Sequence, residues 1–163
     1  MFFKDSSNNR YYLGRQFTYN NIQYAAAAAT EAKFTALGLT KVTLAAKPDQ
    51  RFYSFTGPDI SGAYSSTARD LADLKANFIA ETKKTERILL SGSDYYIIQN
   101  TEDSSTYPIP SEVSTYRSDV RTAATARCSE ITAITTVAAL KTLIDGTGFT
   151  QFPAEPTSNY TAY

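Results

Sequence analysis

Asp94, followed by Tyr95 and Tyr96, is the set in this sequence nearest to acid–base chemistry, because a carboxylate beside phenols can pass a proton. Glu102-Asp103 is a second acidic pair, and Arg87, Glu112, Arg117 and Arg121 form a charged series. A reaction needs more than these. The chain has no histidine, which removes the commonest general base and the commonest metal ligand. It has no glycine-rich phosphate loop and no spaced ligand set. Asp94, next to Ser93, therefore reads as a turn or cap residue. The arginines read as a structural salt link between two helices; Glu112 lies five residues before Arg117, off the four-residue helical spacing. Cys128 is the single cysteine, so neither an intrachain disulfide nor a cysteine metal cluster is available to it. It reads as a small apolar residue on a helix. The expectation is a protein that is not an enzyme, with no catalytic, cofactor-binding or metal site.

These residues sit on a recognisable scaffold. Leu71, Leu74, Phe78, Ile79 and Leu89 recur at three- and four-residue steps, with a gap at Thr82 and Thr85, as the apolar stripe of an amphipathic helix does. Thr67 with Asp70 resembles a capping box at its start, and Gly92 is a plausible stop. Ser93 to Tyr96 reads as an elbow. Pro108 and Pro110 forbid helix up to about Ser111. Val113, Tyr116, Val120 and Ala124 then resume helical spacing. Ile134 to Thr136 interrupt it, and Thr136 caps a third helix bearing Val137, Leu140, Leu143 and Ile144, closed by Gly146. One core is expected from Leu74, Phe78, Leu89, Leu90, Tyr95, Val113, Tyr116 and Val120.

The series Arg87-x-Leu89-Leu90-x-x-Ser93-Asp94-Tyr95, followed by Pro110-x-Glu112-x-x-x-Tyr116-Arg117-x-x-x-Arg121, resembles the phage tail assembly chaperone family. Tyr95 and Val113 stand where that family has tryptophan, and Val120 where it has leucine. All three keep apolar bulk. The stretch carrying the likeness, Thr67 to Arg121, is about a third of the chain. The resemblance implies a role in tail assembly for the C-terminal two thirds.

Ahead of it, Phe2-Phe3, Tyr11 to Leu13, Gln16 to Tyr19 and Ile22 to Tyr24 read as strands, the last two joined through Asn20-Asn21 in a tight hairpin. Their aromatic density could mark a carbohydrate or nucleobase platform, but cross-strand packing pairs are the commoner use and the reading preferred. Ala25 to Ala29 favours helix, and Thr30 to Gly38 a short capped helix. Leu39 to Leu44 and Arg51 to Thr56 read as further strands. Phe17-Thr18, Gln23-Tyr24, Ala36-Leu37-Gly38-Leu39, Val42 and Arg51-Phe52-Tyr53, in that order, are similar to the leading segment of phage tail fibre assembly proteins.

The expected architecture is α+β. A small antiparallel β-rich part spans 1–56, a linker 57–66, a three-helix part 67–146 and an extended tail 147–163. The 163 residues are 42% hydrophobic, enough for a core, and carry 16 basic and 16 acidic side chains. Zero net charge argues against a nucleic-acid partner. No apolar run approaches eighteen residues and no signal peptide is evident, so no membrane partner is expected and synthesis is assigned to the host cytoplasm. Phe149, Phe152, Tyr160 and Tyr163 in the tail are candidate partner-binding residues. The functional expectation is a virion structural protein of a phage tail or tail fibre, with other tail or fibre proteins, or further copies of itself, as partners. The alternative is a soluble assembly chaperone that leaves before the virion is complete.

Overall fold

The computed structural model describes residues 1–156. The chain is α+β and divides into two units between Ala68 and Arg69. Tyr160 and Tyr163 lie outside the described residues.

In the first unit, β1 (Phe2–Lys4) lies between β2 (Arg10–Tyr11) and β5 (Thr40–Val42) in an antiparallel three-stranded sheet. Strands β3 (Phe17–Tyr19) and β4 (Ile22–Tyr24) form the expected hairpin, and both turn asparagines take positive φ, 49° at Asn20 and 64° at Asn21. The register sets Phe17 opposite Tyr24, and their rings stack at 4.7 Å. The alanine run forms only a single 3-10 turn, Ala26–Ala28. Helix α1 (Glu31–Ala36) is capped by the Thr30 hydroxyl, which accepts from the Lys33 amide. Phe34 on α1 is fully buried among Phe3, Tyr11, Phe17, Ala29 and Leu39, with its ring centroid 5.0 Å from those of both Phe3 and Phe17.

Residues 57–66 are not a linker. Strands β6 (Tyr53–Thr56) and β7 (Ser65–Ala68) pair as an antiparallel hairpin, and 57–64 connect them. Gly-Pro-Asp followed by Ser-Gly signals a turn as readily as a boundary, and only strand pairing distinguishes the two. The Asp59 carboxylate holds this connection by accepting from the backbone amides of Ser61 and Ala63. Gly62 is required there, since a Cβ would stand 2.4 Å from the Thr43 carbonyl oxygen. Thr67 consequently lies in β7, and the helix cap is Asp70, whose side chain accepts from the Asp73 amide.

Among the described residues, the second unit has four helices rather than three: α2 (Leu71–Ser91), α3 (Asp94–Glu102), α4 (Ser111–Ala133) and α5 (Val137–Asp145). The additional one is α3, where an elbow was expected. Its tyrosines and isoleucines have little helix propensity of their own, so the sequence hides it. Helices α2 and α4 pack antiparallel: Lys75 Nζ donates to the Thr132 carbonyl near one end, and Arg117 to the Leu90 carbonyl near the other. Val113, Tyr116, Val120, Ala123, Ala124 and Ile131 of α4 are buried, as is Leu74 of α2. Thr82, the apparent gap in the α2 stripe, is buried as well; its hydroxyl donates to the Phe78 carbonyl one turn back, which leaves it free of unmet polarity. Tyr95 is not a core residue: it is 48% exposed. Phe78, Leu89 and Leu90 are half-buried. Thr136 caps α5 by accepting from the Ala139 amide, as its position predicts.

Candidate functional site

The two halves of the 87–121 series meet at Arg117. Its guanidinium is buried, and Nη1 donates to Ser93 Oγ at 2.7 Å, to the Leu90 carbonyl at 2.8 Å and to Asp94 Oδ1 at 2.9 Å. Ser93, also buried, donates in turn to Leu90 O. The end of α2, the start of α3 and one turn of α4 are thereby tied by a single cation. Asp94 sits in the first turn of α3, where the helix dipole favours a carboxylate. The salt link expected among Arg87, Glu112, Arg117 and Arg121 is thus not formed: Arg117 alone takes part, and its ionic partner is Asp94. Arg87, Glu112 and Arg121 are exposed and take no part in the Arg117 junction. Asp103 is a loop residue, its carboxylate accepting from the amides of Ser105 and Thr106 and from the Ser105 hydroxyl, while Glu102 is exposed. Cys128 is a free, half-buried thiol. Among the described residues, no group of histidine, cysteine, aspartate and glutamate side chains is arranged to hold a metal ion.

The described part of the tail folds back along α4. Arg127 is the clasp. Its guanidinium carbon lies 3.8 Å from the ring centroid of Phe149 and 4.9 Å from that of Phe152, and Nη1 donates to the Thr150 carbonyl at 2.8 Å. Glu130, one turn on, accepts from both the amide and the hydroxyl of Thr150. Burial lowers the Arg127 pKa, and the Glu130 charge works against that shift. Phe149 is 6% exposed and borders a cavity of about 170 Å³ with Phe78, Thr82 and Ile144. Phe152 is half-buried. Of the four candidate partner-binding aromatics, these two thus lie against their own helix.

Compared with known proteins, the chain matches no family model, no curated protein and no solved structure.

Among the described residues of the second unit, the large apolar side chains of Ile88, Tyr95, Ile98 and Tyr107 are exposed. Tyr95 and Ile98 are three residues apart on α3, a helix with no fully buried residue. No helix among the described residues is long and apolar enough to cross a membrane. The sequence reading missed Arg127 and Glu130. The available signal was Phe149-x-x-Phe152, two aromatics spaced to grip one flat cation, but their partner lies over twenty residues away and no local pattern names it.

Proposed function

We propose that this chain is a bacteriophage structural protein of the tail or tail fibre that works by binding other proteins and not by catalysis. The observation that carries the reading is the Arg117 junction. Ser93 and Asp94 belong to one half of the series that resembles the tail assembly chaperone family, and Arg117 to the other. That the halves interlock supports treating them as one motif. The exposed Tyr95 and Ile98, on a helix that buries nothing fully, suit a surface completed by a partner. Zero net charge suits a subunit held by its neighbours better than one that must stay free and soluble. The second reading, a chaperone that leaves before the virion matures, is favoured by the family whose series the motif resembles.

Mass spectrometry of purified virions tests the choice. Stoichiometric recovery is expected. Absence from virions, with recovery on a fibre or tail protein from infected-cell lysate, would transfer the case to the chaperone. Because Phe149 is buried against α4, removing everything from 147 onward would disturb the helices too. Truncation after Pro156 is the cleaner test of Tyr160 and Tyr163 as anchors, and reduced incorporation is the expected result.

A further inference from the structure

We propose that the segment Phe149–Phe152 is exchangeable, and that its seat on α4 also takes the same segment of a second copy of this chain. The inference rests on the reading of this chain as a structural subunit with further copies of itself among its partners, and it names how two copies are tied. What the seat accepts is visible, because the chain's own segment occupies it. Arg127 lies over the rings of Phe149 and Phe152 and donates to the Thr150 carbonyl, while Glu130 accepts from the Thr150 amide and hydroxyl. Phe78, Thr82 and Ile144 border the cavity beside Phe149. Two α4 side chains thus grip one short linear sequence, Phe-Thr-Gln-Phe. Among the described residues, no backbone-to-backbone hydrogen bond ties 146–156 to the helices. Lifting the segment therefore breaks side-chain contacts and no backbone ladder.

The hinge is Gly146-Thr147-Gly148, directly after α5. A Cβ on Gly146 would stand 2.6 Å from the Thr142 carbonyl oxygen, so that glycine belongs to the end of α5. A Cβ on Gly148 would meet nothing within 4 Å, so packing does not require a glycine there. What Gly148 gives the hinge is a wider choice of backbone conformation. A swapped segment makes the same contacts as an unswapped one, so exchange changes only the tether. A short tether holds the chain's own segment at a roughly millimolar effective concentration, and the closed monomer wins in dilute solution. A subunit crowded by copies at a comparable local concentration loses that advantage. Reciprocal exchange closes a two-fold dimer, and one-way exchange links copies into rings or filaments.

The test mixes two forms of the full chain at a roughly millimolar concentration. One is isotope-labelled for amide NMR; the other is C128A/A154C carrying a nitroxide on the exposed position 154. Amide signals of α4 from Asp119 to Glu130 in the isotope-labelled chain should lose at least half their intensity, and regain it when the nitroxide is reduced. No loss, or a loss spread evenly over the surface, would overturn the proposal. Deleting Thr147 and Gly148 shortens the hinge by about 7 Å and should convert the monomer into a concentration-dependent dimer or larger assembly, read by light scattering. A shortened chain that stays monomeric with its helices intact would count against exchange; if it loses its helices, the nitroxide mixture decides alone. A chain absent from virions that still exchanges segments would keep this inference and lose the structural-protein reading, while stoichiometric recovery without exchange would do the reverse.

Discussion

Arg117 Nη1 lies 2.9 Å from Asp94 Oδ1, yet the two partners are unequal: the arginine side chain is 9% exposed and the aspartate 54%. Asp94 therefore contributes little, since solvent screens an exposed carboxylate, and Asp94→Ala should cost at most about 1 kcal/mol. Arg117→Ala also strips Ser93 and the Leu90 carbonyl of a donor, and should cost about 3 kcal/mol. Chemical denaturation followed by helical circular dichroism measures both. Equal losses would show that the ion pair, and not the buried hydrogen bonds, holds the junction.

The tail clasp has its own order. Phe149→Ala removes a buried ring and should cost about 3 kcal/mol. Phe152→Ala loses one cation–π contact at a half-buried site and should cost about 0.5–1 kcal/mol. Limited proteolysis should cut the tail sooner in the Phe149 variant than in the Phe152 variant.

Phe34→Ala should be among the most damaging changes in the first unit, about 3–5 kcal/mol, because it empties the centre of a cluster of aromatic rings. Tyr95→Ala should change stability by less than about 0.5 kcal/mol, its ring being exposed. Under the proposed function its cost should appear in virion incorporation.

Tyr116→Phe deletes a buried hydroxyl that bonds to none of the described residues. It should be neutral or stabilising by about 1 kcal/mol in the isolated chain, measured by denaturant midpoint. A clear destabilisation would mean the hydroxyl has a partner in solution.

Acid should loosen three loops first. Asp5, Asp59 and Asp103 are held below the usual carboxylate range, chiefly by hydrogen bonds from the side chains of Asn9, Ser61 and Ser105 respectively. A depressed folded value means that the stabilisation is complete above the ordinary value of 3.8 and is lost as pH falls through the lower folded one. Amide shifts of Ser7, Ser61 and Ser105 should move only below that ordinary value. Tyr11 behaves oppositely. Burial, then its hydrogen bond to Asp5, push its phenol up to about 12, so its contribution is complete below 10.0 and lost as pH rises between the two. The difference between wild type and Tyr11→Phe in a phenolate absorbance titration should show one tyrosine ionising near 12.

Much of the fold was legible because its signals are local. Asn20-Asn21 dictated a hairpin by tolerating positive φ, Thr30 and Thr136 announced caps, and Pro108 and Pro110 set the start of α4 at Ser111. Each depends on interactions within about four residues, which spacing and residue type specify. The errors share the opposite cause. The residues around Gly57 and Gly62 read as a break until β6 found β7, and Ser93-Asp94 read as an elbow until Arg117 arrived from α4. Tyr95 was expected in the core yet is exposed, on α3, a helix the sequence did not announce and which holds no buried residue.

By itself, the sequence determined the α+β class, most element boundaries and the lack of histidine chemistry, all properties of neighbouring residues or of composition. Tertiary structure alone decided that Arg117 locks the two halves of the motif, that Arg127 clasps Phe149 and Phe152, and that the Tyr116 hydroxyl is buried without a partner among the described residues. Those facts join residues more than twenty positions apart or depend on which groups lose water together, and neither periodicity nor local propensity encodes that.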